Sequence, residues 1–233
     1  MTEHAAVPPR GMVAGPVAGV LVTVAALGYA QVALPEQPLL SDYALVPGGM
    51  LPVMIGMLAL AGACLWLAYG LTVREPARTA ATRVLLVATA AGLALCAIFP
   101  TDPGLSQIST LEGEVHRWAA AVVFTALPLA GWTLARRNTS LPWGNAVRAL
   151  SVTSALALGG FLITHPASFT SSPINGAAYY GLLERGVVLA EIALLTAMAL
   201  ASAGGRRHPA ALEPPASSGP AAEAGARPER LAA

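Results

Sequence analysis

MLPVMIGMLALAGACLWLAYGLT, residues 50–72, decides the architecture. It holds no charged residue. As a helix rising 1.5 Å per residue it is long enough to cross roughly 30 Å of hydrocarbon. Pro52 falls in the first turn, where a missing N–H costs little. Five further apolar runs flank it: about Met12–Leu34 before it, then Ala80–Phe99, a run ending near Ala135, Ala146–Thr164 and Tyr179–Ala203. Pro128 inside the fourth run predicts a kink. The chain as a whole, 233 residues, is 55% hydrophobic and 11% charged, where a soluble domain carries about 25% charged residues. The pattern predicts an all-α polytopic membrane protein, a six-helix bundle.

Three parts are expected: a short cytoplasmic N-terminus (1–11), a membrane domain (12–203) and a tail (204–233). The tail is Ala, Pro, Gly, Glu and Arg without apolar periodicity, which predicts disorder. Gly11, Gly15 and Gly19 share one face of the first helix and allow close approach by a neighbour. Gly28-Tyr29-Ala30 offers a cleavage site, but the run is long for a signal peptide, so a retained helix is expected.

Charge orients the chain. Arg10, the Arg74–Arg83 loop, the Arg136–Arg148 loop and Arg206-Arg207 fall on one side of a six-span model. Arg117 and Arg185 are the basic residues of the other side, each beside acids. The positive-inside rule then places both termini in the cytoplasm. Tyr29, Tyr43, Trp118, Tyr179 and Tyr180 fall near the outer interface, and Trp66, Tyr69, Trp132 and Trp143 near the inner one. Every basic residue is Arg, and with abundant Ala, Gly and Pro the composition reads as a high-GC genome and a bacterial inner membrane. The net charge of +1 argues against a nucleic-acid partner, which needs a concentrated basic face. Membrane lipids are the partners the sequence defines; it names no cofactor and no protein partner. Cys64 and Cys96 lie in separate apolar runs and predict buried thiols, not a disulfide.

Ionisable groups concentrate outside. AIFPTDPGLSQISTLEGEVHRW (97–118) links the third and fourth spans and carries Asp102, Glu112, Glu114, His116 and Arg117. Ser109-Thr110-Leu111-Glu112 fits a capping box. Glu112 and His116 are i,i+4 neighbours, so the acid would favour a protonated or oriented imidazole. Asp102, between Pro100 and Pro103, is either a turn cap or a site carboxylate. Glu184 and Arg185 lie one to two turns into the sixth span, where ionisable groups face the bundle interior. Adjacent residues diverge by about 100°, so each wants another partner: Asp102 for Arg185, and Arg117 or His116 for Glu184. Glu191 is roughly 10 Å deeper on nearly the same face. His165 ends the fifth span as a cap or as a second imidazole beside His116. Asp102, His116, His165 and Glu184 have the chemistry of zinc ligands but no tight spacing such as HExxH. No phosphate loop, GxSxG or CxxC occurs.

Phe99-Pro100-Thr101-Asp102-Pro103, then His116, then Gly181-Leu182-Leu183-Glu184-Arg185, with Ser41-Asp42 in the first outer loop, resemble the bacterial membrane-protein family called domain of unknown function 998. The resemblance covers about residues 12–203. It implies a six-helix integral membrane protein and assigns no activity. Outer-end Ser, Asp and His also resemble, distantly, membrane hydrolases of the ceramidase and adiponectin-receptor type, but their HxxxH is absent. Three readings follow. The first is a polar outer-face site that binds or processes a lipid headgroup or envelope molecule. In it His116, Asp102 and Glu184 are the catalytic candidates, and Asp42, Arg117, Arg185 and His165 the binding candidates. The second is a proton-linked transporter using Glu184 and Glu191. The third is a non-catalytic scaffold with the charges as structural pairs.

Overall fold

The computed structural model describes residues 9–103, 110–137, 143–166 and 168–203. The tail, Arg206-Arg207 and Ser109 of the expected capping box lie outside the described residues. Six α-helices follow in order: α1 Pro9–Ala33, α2 Met50–Arg74, α3 Ala80–Ile98, α4 Leu111–Arg137, α5 Gly144–Ile163 and α6 Gly176–Ala203. A short 3-10 helix, Ser41–Leu45, lies in the first loop. All six helices contain stretches long and apolar enough to cross a membrane. The expected spans match them to within a few residues, because helix ends are set where apolar runs meet Pro, Gly and charge. Pro128 sits inside α4, which continues through it.

Each helix packs against its neighbours in the chain, and α6 closes the bundle against α1 while also touching α4 and α2. Lipid supplies no hydrophobic drive between helices, so close packing must hold them. Small residues provide it. A Cβ at Gly19 of α1 would fall 2.7 Å from the Ala59 carbonyl oxygen and 2.9 Å from Ala63 Cβ of α2, and one at Gly15 would strike the Trp66 ring. Gly92 of α3 meets α4 in the same way, its Cβ falling 2.8 Å from Val123 Cγ2 and 2.9 Å from the Ala119 carbonyl oxygen.

The bundle has two ends. At the arginine end, guanidinium groups serve carbonyls that lack intrahelical partners. Arg74 donates to Ser202 at 2.5 Å, Arg148 to Ala135 at 2.9 Å and Arg83 to Pro76 at 2.7 Å. Behind them lies a filled core, with Leu67, Leu86, Leu127, Leu194, Leu195 and Met198 wholly enclosed. At the opposite, loop end, a small cluster of Ala30, Tyr43 and Val53 fastens the 3-10 helix to α1 and α2. Tyr43 and Tyr180, expected at the interface, are both buried.

Candidate functional site: a cavity at the loop end

The site begins where α3 ends. Pro100 has no N–H, so the Cys96 carbonyl loses the donor that would continue the helix. The last turn closes with Phe99 N to Leu95 O at 2.9 Å. His116 of α4 completes the joint: Nδ1 lies 2.8 Å from the Phe99 carbonyl oxygen, with the Cys96 carbonyl also directed at the ring. In return Cys96 Sγ faces the His116 carbonyl at 3.5 Å. A carbonyl only accepts, so Nδ1 carries the proton and Nε2 of the neutral ring is an acceptor. His116 is therefore oriented by Phe99, not by Asp102 or Glu112. Glu112 is exposed.

Asp102 holds the start of α4. Oδ2 accepts from the Thr110 N–H at 3.1 Å and Oδ1 from the Thr110 hydroxyl at 2.8 Å. Thr110 Oγ1 accepts from the Gly113 N–H at 3.0 Å, three residues on, as an N-cap does. Thr110, the second residue of the expected box, thus gives the start of α4 an N-cap contact. Glycine suits the position opposite it, because a Cβ at Gly113 would overlap the Asp102 carboxylate and force it to shift.

Glu184 and Arg185 grip the first loop from α6. Arg185 donates to Gln31 Oε1 at 3.0 Å, to the carbonyls of Gln37 and Pro38 at 2.9 and 2.8 Å, and to Gly181 at 2.9 Å. These contacts replace the expected pairing with Asp102. Glu184 accepts from the Leu40 N–H at 2.6 Å, with the Ser41 amide also directed to it. Its carboxylate therefore sits at the N-terminus of the 3-10 helix, where free amides favour negative charge. The expected Arg117 or His116 partner is not made. Asp42 Oδ2 accepts from the Leu39 N–H at 3.3 Å. Burial pushes the Asp42 carboxyl above the usual carboxylate range, against the opposing effects of that N–H and of Arg185.

These joints frame a cavity of about 570 Å³ that takes wall residues from all six helices and the first loop. Its size is that of a small-molecule site, roughly 300–1,000 Å³. His116, Arg117, His165, Tyr180 and Glu184 line its loop end. Phe161 and Tyr180 stack with centroids 4.4 Å apart, and His165 meets Tyr180 edge-on at 5.2 Å. Partial burial, and then the charge of Arg117, lower the His165 pKa below the ordinary imidazole value. Arg117 itself is exposed, and makes no hydrogen bond with any other described residue. Glu191 lies deeper, 2% exposed, with Oε1 enclosed and without a hydrogen-bond partner. A buried polar atom in that state costs about 1–3 kcal/mol.

The structure brings His116, Arg117, His165 and Glu184 to one cavity and sends Asp42, Asp102 and Arg185 to the joints around it. Among the described residues no three His, Cys, Asp or Glu side chains gather to hold a metal ion. The Asp102, His116, His165 and Glu184 set does not form, because Asp102 is turned to Thr110. Sequence reasoning missed Phe99, Thr110 and Phe161. The signal for Phe99 was present: Pro100 leaves carbonyls of α3 without donors, and His116 is a polar side chain able to supply one.

Six hydrophobic helices around such a cavity define a multi-pass membrane protein in a lipid environment. The chain belongs to the family described as "Protein of unknown function (DUF998)", whose model matches residues 12–201. No curated protein and no solved structure matches it.

Proposed function

We propose that the cavity binds a single-chain amphiphile with an anionic headgroup, a carboxylate or phosphate, at the extracytoplasmic face. The observation that carries this is Arg117: an exposed guanidinium, with no hydrogen bond to another described residue, beside the mouth of a large, mainly apolar cavity. Guanidinium forks match carboxylate and phosphate oxygens. His165 stands close enough to Arg117 to feel its charge and adds a second donor. The aromatic stack and the aliphatic wall take the chain. Asp42, Asp102, Glu184 and Arg185 serve as positioning residues that fix loops and helix starts around the mouth. The filled core beneath the cavity favours binding over proton-linked passage through Glu184 and Glu191.

The test is displacement of a fluorescent fatty acid from the purified full chain. A long-chain fatty acid should compete, while its methyl ester and acetate should be at least about tenfold weaker, in keeping with the worth of a charge-assisted contact. Arg117→Ala should lose about that factor for the acid and nothing for the ester, with thermal unfolding unchanged. Equal competition by acid and ester sinks the reading.

A second reading rests on the tautomer that Phe99 imposes. Nε2 of His116 is suited to accept a proton from water or a hydroxyl held in the cavity. A headgroup ester would then be cleaved by the wild-type protein and spared by His116→Gln. An ester left intact by both confines His116 to binding.

A further inference from the structure

The floor of the cavity holds an acceptor, Glu191 Oε1, that no described residue serves. Glu191 is seven residues beyond Glu184 on α6, about 10 Å farther from the loops by helix rise. It lines the cavity, and its Oε1 has no partner. The other polar side chains of the deeper wall are spent. The Thr23 hydroxyl is directed at the carbonyls of Gly19 and Gly56, each at 2.9 Å. The Thr125 hydroxyl donates to Ala121 at 2.7 Å. The Cys96 thiol faces the His116 carbonyl. Each of these groups owns one proton and has placed it elsewhere. Cys64, also buried, makes no hydrogen bond to Glu191 Oε1. Leu60 and Val188 complete the wall with aliphatic surface. Among the described residues none donates to Glu191 Oε1, which leaves the carboxyl group to a donor that enters the cavity.

We infer that the bound amphiphile carries a hydroxyl on its chain, well below the headgroup at the depth about 10 Å beyond Glu184, and that Glu191 receives it. The headgroup held at Arg117 sets the depth of the chain, and Glu191 reads one position along it. A hydroxyl suits the site better than an ammonium, because a second charge among aliphatic walls is costly to desolvate. This deepens the proposed function and rests on it.

Three acids separate the two. They are octadecanoic acid, its isomer hydroxylated at the tenth carbon, and the isomer hydroxylated at the second carbon, each displacing the same fluorescent fatty acid. Wild-type protein should prefer the tenth-carbon hydroxy acid over the parent by about fivefold, the worth of one net hydrogen bond. The second-carbon isomer should show no such gain. Glu191→Leu should abolish or reverse the preference while still binding the parent acid, and Glu191→Gln, whose amide oxygen accepts, should retain part of it. Arg117→Ala should weaken all three acids alike. Equal affinities for the three acids, or a preference that survives Glu191→Leu, overturn the inference while leaving the headgroup site standing. Failure of every acid to bind overturns both.

Discussion

The same six helices make two unlike halves. Toward the arginine end α6 presents Leu194, Leu195 and Met198, and they meet Leu67, Leu86 and Leu127 with no exposed surface. About one to four turns before Leu194 the same helix lines the cavity with Tyr180, Glu184, Val188 and Glu191. The filled half is held by dispersion between close-packed side chains, the term that remains when lipid removes the hydrophobic drive. The hollow half is held by directed hydrogen bonds at its rim: Asp102 to Thr110, His116 to Phe99, Glu184 to Leu40, Arg185 to Gln37 and Pro38. A membrane bundle can keep a cavity at one end because its other end carries the packing and its rim is tied by polar contacts.

The largest expected effect probes the filled half. Leu127→Ala should cost about 2–5 kcal/mol of stability, since its void cannot collapse among enclosed neighbours. Leu158→Ala, on the cavity wall, should cost about 1 kcal/mol or less, because it borders space already open. Unfolding in detergent compares them, and equal losses would break the distinction between the halves.

The rim comes next. Gly113→Ala should cost about 1–3 kcal/mol by forcing its methyl into the Asp102 carboxylate. Adding Asp102→Ser should recover part of that loss, a coupling that a double-mutant cycle measures. Strict additivity would mean that Asp102 and Gly113 do not share one joint.

The smallest effect is a pH dependence at the mouth. With its pKa lowered on folding, His165 favours the neutral form, so the unfolded chain binds the proton more readily. Its stability contribution is complete above the ordinary value of 6.5 and declines as pH falls through it toward the lower folded value. An anionic ligand favours the charged imidazole, so affinity for a fatty acid should rise severalfold as pH falls through that window. His165→Gln should flatten the profile, and an unchanged profile would remove His165 from the headgroup site.

Much of this was legible one residue at a time. The acids and His116 in residues 97–118, and the Glu184-Arg185 pair at membrane depth, marked the loop end through residue type and spacing alone. Asp42, Asp102, His116 and Glu184 are all buried. Their partners were not legible. Arg185 binds backbone carbonyls, which every residue carries, and no pattern of side chains announces such a target. Asp102 accepts from the Thr110 amide and hydroxyl, a pairing between residues eight apart that neither residue's type announces.

By itself the sequence determined the six helices, their ends and the clustering of ionisable groups at one end. Apolar length and helix-terminating residues are local properties, and the bilayer dimension turns them into spans. Tertiary structure alone decided which groups line the cavity and which tie its rim. It also decided that Glu191 lines the cavity with its Oε1 enclosed and without a partner. Those outcomes depend on side-chain volumes summed across six helices, and on where a fold leaves a carbonyl without a donor, neither of which any one segment carries.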